Sequence, residues 1–221
     1  LLDYLQELDG LERIRFTTSF PRDITSKMIS SMERNSKVCR QLHLPVQSGS
    51  NRILKQMKRA YSIEWYRDSV QKLKEAMPDL SLSTDIIVGF SDESEKDFQQ
   101  TMDLIEEIKF DTIYSFKYSI RPGTPGELMT THINDDEALD RLHLLQSRQR
   151  EISLENNLKQ VNKSYKVLVE SETKNNPNEF FGRTSQNKAV YIKDIDKKYI
   201  GKIVEITKKQ AFQNSFIGEL T

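Results

Sequence analysis

A strand followed closely by a helix, with a turn of small residues between them, is the feature that most constrains this fold. Residues 40–59 read RQLHLPVQSGSNRILKQMKR. Apolar residues alternate along 41–47, the turn SGS follows at 48–50, and a basic helix begins after it. In parallel α/β folds, ligands bind where strands end and helices begin, because backbone N–H groups point into that crevice. The turn is therefore a candidate ligand site, and an ordinary serine-capped turn is the alternative.

The same unit recurs along the first 130 residues. Strands are predicted over 13–18, 41–47, 81–88 and 112–118, each followed by a helical pattern or a polar turn. This alternation predicts parallel strands with their carboxyl ends on one side, joined by right-handed crossovers. Four strands are too few for a closed barrel, and the chain begins with a helical pattern and no Met. We therefore expect an open barrel whose earlier strands belong to a preceding segment.

Charge divides the chain into two parts. The 221 residues have 33 basic and 33 acidic side chains. Residues 156–221 hold 12 Lys and Arg against 7 Asp and Glu, a net of +5, which leaves 21 against 26 and a net of −5 for residues 1–155. No apolar run reaches the ~18 residues of a membrane span and no leader is visible, so we expect a cytoplasmic protein without a membrane partner. The single Cys39 excludes an internal disulfide and is expected to be a small buried apolar residue.

Beyond the first part, the period of the pattern changes from helix to strand. A linker helix is predicted over 131–157, where Arg141, Arg148 and Arg150 indicate a solvated face rather than an RNA groove. After it, short alternating strands predict a small antiparallel barrel over 158–221. Basic and aromatic residues within that barrel suit RNA binding by phosphate neutralisation and base stacking: Phe181, Arg183, Lys188, Tyr191, Lys208, Lys209 and Phe212. Core packing is the alternative for each aromatic, and we favour it for Tyr191 and Phe216.

Five stretches together carry a resemblance to a known family. They are RIRFTTSFP (13–21), LHLPVQSGS (42–50), STDIIVGF (83–90), YSIRPGTPG (118–126) and FGRTSQNKAV (181–190). In this order they resemble the tRNA methylthiotransferases of the radical S-adenosylmethionine (SAM) superfamily. The resemblance implies an α/β fold in three parts: the C-terminal strands of a radical SAM barrel at 1–130, a linker helix at 131–157 and a TRAM-like barrel at 158–221.

The resemblance also implies a reaction and its cofactors. Enzymes of this family use SAM, two 4Fe-4S clusters and an electron-supplying reductant to add a methylthio group to carbon 2 of N6-isopentenyladenosine, at position 37 of the tRNA anticodon loop. The family's cluster cysteines, three in a CxxxCxxC loop and three more, do not occur in these residues. We therefore expect no metal ligand and no catalytic residue here, and an inactive chain on its own. The turn GFSDE at 89–93 departs from the family's usual GFPGE, and Phe20 stands where a His is common.

Candidate site residues fall into two groups. For SAM we expect polar contacts from Gln47 and Ser48, a lumen-facing Asp85, and an adenine shelf made by Ile87, Val88 and Gly89. For RNA we expect contacts from Arg121, Thr124, Arg183, Lys208 and Lys209, where Arg121 and Thr124 would meet either the nucleotide or the SAM carboxylate.

Other functions remain open at this stage. A methylthiotransferase of the same family could act on a ribosomal-protein aspartate or on another modified adenosine, although RIRFTTS resembles the tRNA branch more closely. A pure RNA-binding protein with a scaffold barrel is a second alternative. A third is a non-redox barrel enzyme that uses His43, Asp85 and Glu93 for acid–base chemistry, although a lone strand histidine is more often packed or hydrogen-bonded.

Overall fold

The computed structural model describes residues 1–18, 20–120, 123, 127, 129, 133–174, 176 and 178–221. The helices in these ranges are α1 (Leu2–Gln6), α2 (Ser26–Arg34), α3 (Asn51–Gln56), α4 (Ile63–Ala76), α5 (Glu95–Ile108) and α6 (Asp135–Leu158). The strands are β1 (Gln41–His43), β2 (Ser81–Val88), β3 (Thr112–Lys117), β4 (Ser164–Glu172), β5 (Glu179–Thr184), β6 (Ala189–Lys193), β7 (Ile203–Ala211) and β8 (Ser215–Leu220). Helices α2 to α6 each begin at a residue whose side chain accepts a backbone N–H of the first turn: Thr25, Ser50, Ser62, Ser94 and Asn134.

The first part is a three-stranded parallel sheet covered by helices. Strand β2 lies in the middle and pairs in parallel with β1 on one side and β3 on the other. The predicted parallel arrangement of these three strands is confirmed. The predicted strand at 13–18 is wrong, because only Ile14 forms an isolated parallel bridge, with Val38. The strand expected over 41–47 ends at His43 and rejoins β2 only at Gln47, since Pro45 between them has no N–H to donate.

The second part is a closed barrel with the strand order β4-β5-β6-β8-β7. All neighbours are antiparallel except β6 and β8, which run in parallel. Its core is separate from that of the sheet and is formed by alternating inward residues, among them Val167, Val169, Phe180, Val190, Ile192 and Phe216. The small barrel predicted after residue 157 is thereby confirmed, and so is Phe216 as a core residue.

Helix α6 and several polar contacts join the two parts. Arg13 donates to the carbonyl oxygens of Lys166 and Arg183, both at 2.8 Å. Lys188 forms an ion pair with Asp111 at 2.6 Å. These contacts hold the barrel at the end of the sheet where β3 begins. Within the described residues, no helix combines the length and apolar character needed to cross a bilayer.

Candidate functional site

The lumen face of the sheet carries a row of polar and aromatic side chains. Along β2 the residues Thr84, Ile86 and Val88 are fully buried beneath the helices, so Ser83, Asp85 and Ile87 point to the opposite face. The strand register sets three neighbours beside them, because His43 pairs with Ser83, Tyr114 with Asp85 and Phe116 with Ile87. The row therefore consists of His43, Ser83, Asp85, Ile87, Tyr114 and Phe116.

His43 and Asp85 are partners within this row. The Nδ1 atom of His43 lies 3.0 Å from Ser83 Oγ, and its Nε2 atom lies 3.5 Å from Asp85 Oδ1. The ring of Tyr114 packs edge-on against the imidazole at 5.7 Å between centroids. Asp85 therefore faces the lumen, as its position in an apolar strand predicted, and it has the partner that a half-buried carboxylate requires. Its contact with SAM stays a prediction, as does that of Ile87.

The turn at 48–50 does not offer the ligand site that the strand–helix pattern predicted. Ser48 is fully buried, and its hydroxyl contacts Thr101 Oγ1 at 3.4 Å. A Cβ atom on Gly49 would lie 2.4 Å from the carbonyl oxygen of Gln100, so glycine is required for the close approach of α5. Ser48 is therefore wrong as a SAM contact, because its side chain packs on α5. Gln47 is also buried, at a positive φ of 72°, and its backbone pairs with β2.

Ser50 belongs to a buried network that joins the first turns of α3 and α5. Its hydroxyl donates to Asp97 Oδ1 at 2.5 Å, and Asp97 also accepts from Arg52 and Ser94. Burial opposes the ionisation of Asp97, yet these donors together hold its pKa well below the ordinary value. The serines of the turn at 48–50 therefore have a structural role, because both of their hydroxyl groups contact α5.

The adenine shelf proposed at the end of β2 is only partly available. Val88 is fully buried in the core between sheet and helices, so its side chain is wrong as a ligand contact. Gly89 has a φ of +71°, and a Cβ atom there would lie 2.6 Å from the Cβ of Ala138. Gly89 therefore accommodates the start of α6, and it lines a cleft of ≈ 380 Å³ beside Lys117 and Tyr118.

Glu93 is held in the turn that follows. Its Oε2 atom accepts from the Gly89 N–H at 2.8 Å and from Arg141 at 2.9 Å. Arg141 is itself buried, so the prediction of a solvated face fails at this position. Burial raises the pKa of Glu93, and its two donors oppose that effect. Because Glu93 is buried and its Oε2 atom is already bound by two donors, it is not open to a substrate in the way that the third alternative needs.

The barrel presents aromatic side chains on its outer surface. Tyr191 lies between the inward residues Val190 and Ile192, so it points outward and the predicted core packing is wrong. Its ring packs edge-on against Phe181 at 5.7 Å between centroids. Together with Phe212 these rings line a cleft of ≈ 700 Å³. Such an aromatic surface can stack unpaired bases.

Lys208 is wrong as a phosphate contact. The side chain is 0% exposed and lies inside the barrel on the face of Ile206, as the period of two along β7 requires. Its Nζ atom donates to Gln160 Oε1 at 2.5 Å and lies 3.8 Å and 3.9 Å from the ring centroids of Tyr165 and Phe216. Burial, together with the charge of Lys188, lowers the pKa of Lys208 to about 7.

The remaining candidate RNA contacts have different surroundings. Lys209 is exposed and lies 3.5 Å from Glu219. Arg183 is half-buried, stacks over Phe181 at 5.0 Å and lies 3.6 Å from Glu170. Arg121 and Thr124 lie outside the described residues. Lys209 and Arg183 remain predicted RNA contacts.

Two lumen residues were missed from the sequence. Tyr114 and Phe116 are 52% and 54% exposed and stand on the same face of β3. Their alternation with Ile113 and Ser115 was visible, but aromatic residues in a strand are usually core residues. Only the sheet register places them beside Asp85 and Ile87.

Comparisons with known proteins support both parts of the fold. A family model described as "Radical SAM superfamily" matches residues 1–105, and one described as "TRAM domain" matches residues 158–221. Among solved structures, coproporphyrinogen III oxidase from Escherichia coli, described as a radical SAM enzyme, is similar with a TM-score of 0.53. That likeness has 17% identity and covers 63% of this chain and 32% of the other, and it supports the fold alone.

Curated relatives are similar along the whole chain. A protein of Alkaliphilus oremlandii is 44% identical over 220 residues, which are 100% of this chain and 46% of its own length. One of Pelotomaculum thermopropionicum is 42% identical over 207 residues, 94% of this chain and 46% of its length. Both are named tRNA-2-methylthio-N(6)-dimethylallyladenosine synthase, and this chain spans about half the length of these relatives. Residues 1–105 are therefore similar to the radical SAM superfamily and residues 158–221 to the TRAM domain, in the order that the resemblance implied.

Proposed function

We propose that this protein is a tRNA methylthiotransferase, which adds a methylthio group to carbon 2 of N6-dimethylallyladenosine at position 37 of the anticodon loop. The observation that carries this proposal is 44% identity along the entire chain to a synthase of that name. The TRAM domain supports it, because its outward aromatic rings suit an RNA substrate. A tRNA substrate also supports a cytoplasmic location.

The proposed chemistry needs SAM, two 4Fe-4S clusters and a reductant. The residues of this chain do not fit a cluster, because Cys39 is its single cysteine and is 3% exposed. We propose that the cluster ligands lie in other residues of the protein.

The lumen row fits part of a SAM site. SAM, when bound, supplies the radical precursor and the methyl group. Asp85, oriented by His43, offers a carboxylate acceptor to hydroxyl or amino groups of a ligand, and Ile87 offers an apolar surface. Gln47 and Gly89 stay in the proposal only through their positions, because Gln47 bridges to β2 and Gly89 follows the last residue of β2.

Mass spectrometry of tRNA nucleosides tests the proposal. The complete reading frame that contains this chain is expressed in a host that lacks its own enzyme of this kind. We expect the 2-methylthio derivative to appear and N6-dimethylallyladenosine to decrease, whereas the 221-residue chain alone produces neither change. Unchanged tRNA, together with a methylthiolated aspartate among the ribosomal proteins of the same cells, would instead support the protein-modifying alternative.

A further inference from the structure

A groove lies where the sheet, α6 and the barrel meet. It has a volume of ≈ 340 Å³ and follows β3, which pairs only with β2 among the described strands. One wall is β3 itself, the second is α6, and the third is Asn214 in the turn between β7 and β8. The lining residues used below are Tyr114, Phe116, Gln149, Arg150 and Asn214. We call this site the β3 groove.

Arg150 gives the β3 groove its charge. It is exposed, and it is the single charged residue among the described lining residues, which include no carboxylate. Arg150 has no ion pair with any described residue. By contrast, Arg148 on the same helix contacts Glu106, Glu151 and Glu155. An unpaired guanidinium in a groove without carboxylates favours an anionic ligand such as a phosphate.

The other lining groups suit a base. Tyr114 and Phe116 project large exposed rings from alternate positions of β3. Gln149 is 8% exposed, and its Nε2 atom donates to the Phe110 carbonyl oxygen and to Ser153 Oγ. Its Oε1 atom accepts no hydrogen bond from the described residues. Across the β7–β8 turn, Phe212 begins the aromatic cleft of the barrel. The two clefts thus lie at the same hairpin, because Asn214 lines one and its neighbours Phe212 and Ser215 line the other.

We propose that the β3 groove binds an unpaired nucleotide of the RNA substrate, with Arg150 on a phosphate and Tyr114 or Phe116 stacked on a base. The inference rests on the proposed function for the identity of its ligand as RNA. The β3 groove is then the place where single-stranded RNA leaves the barrel surface and approaches the lumen row.

Salt-dependent binding to a fluorescent anticodon stem-loop RNA tests the inference with the whole 221-residue chain. Changing Arg150→Gln should weaken binding and lower the slope of log affinity against log salt by about 0.7, the value for one contact to a single strand. Changing Tyr114 and Phe116 together to Ala should weaken binding about tenfold and leave that slope unchanged. Arg150→Lys should restore the slope.

Lys72→Gln is the matched control, because Lys72 is an exposed cation on α4 that pairs with Asp68 at 2.6 Å. If the Arg150 variant and this control have the same affinity and slope while the unmodified chain binds, the groove is not the RNA site. If the unmodified chain shows no binding at low salt, the inference is also overturned. In either case the nucleoside assay above still decides the proposed function separately, since it measures the product and not the groove.

Discussion

Lys208 should make the stability of the barrel increase with pH. In the folded chain its pKa is about 7, against an ordinary value of 10.5, because the ammonium is buried near Lys188. Between these two values the unfolded chain holds a proton that the folded barrel has released, so the free energy of unfolding rises with pH across that window. Below about pH 7 both states are charged, and the folded state bears the whole penalty.

The size of the effect follows from two opposing contributions. A fall in pKa from 10.5 to about 7 corresponds to about 5 kcal/mol. The ring faces of Tyr165 and Phe216, both under 4 Å from Nζ, each return up to about 2 kcal/mol to a desolvated ammonium. The penalty for the charged form is therefore about 1 to 5 kcal/mol.

Lys208→Met should remove this pH dependence. At pH 7 the variant loses the hydrogen bond to Gln160, which is worth about 1 kcal/mol. It is stabilised in return because no charge has to be buried. Its stability relative to the unmodified chain should therefore be highest near pH 7 and decrease toward about pH 9.5, below the range in which tyrosines titrate. Hydrogen exchange of β7 and β8 peptides in increasing urea, at several pH values, measures this locally.

Lys209→Met is the control for the same strand. Lys209 is exposed, so its removal should leave the pH dependence as it is in the unmodified chain. The reasoning is refuted if both variants and the unmodified chain show one common dependence between pH 7 and about pH 9.5.

Three further outcomes are expected. Asp97→Asn should lower the free energy of unfolding by about 2 to 3 kcal/mol in urea at neutral pH, whereas Asp103→Asn on the same helix should change little. The advantage of the Asp97 carboxylate should begin to decrease as pH falls below about 4 and continue to decrease toward its lowered folded pKa. Gly89→Ala should reduce the melting temperature more than Gly10→Ala. Both glycines have a positive φ, but only at Gly89 would the added Cβ atom clash with Ala138 of α6. Equal effects would show that this clash does not matter. After anaerobic reconstitution the chain should hold far less than one iron per molecule, since Cys39 alone cannot supply three thiolates. Stoichiometric iron in elemental analysis would contradict this prediction.

The elements that were predicted correctly are those whose local pattern agrees with their packing. Strands β2 and β3 have long alternating or β-branched runs, and the barrel strands have a period of two. The stretch at 13–18 also alternates, but it makes a single bridge to Val38 and its Arg13 turns to the barrel. A strand needs a partner along its length, and the local pattern does not say whether one exists.

The site residues were harder to predict because contacts distant in sequence decide them. The turn at 48–50 looks like a ligand loop until α5, some fifty residues later, packs on Gly49. Lys208 is a different case. It lies two residues after Ile206, and the alternation of side chains along β7 places both of them inside the barrel. Its charge suggested a phosphate contact, whereas the two ring faces show how a barrel accommodates a buried ammonium.

The net charge of +5 in residues 156–221 overstates the attraction of the barrel for RNA. Lys188, Lys197 and Lys209 are paired with carboxylates, and Lys208 is buried with a pKa near neutrality. A cation that already has a carboxylate partner releases fewer counterions when a phosphate approaches, so the salt dependence of binding should be weaker than a count of charges suggests. In the proposed RNA complex the affinity should then depend more on the exposed rings of the two clefts, where stacking does not change with salt. This is why an unpaired cation beside those rings carries more weight for RNA recognition than the larger number of lysines on the barrel.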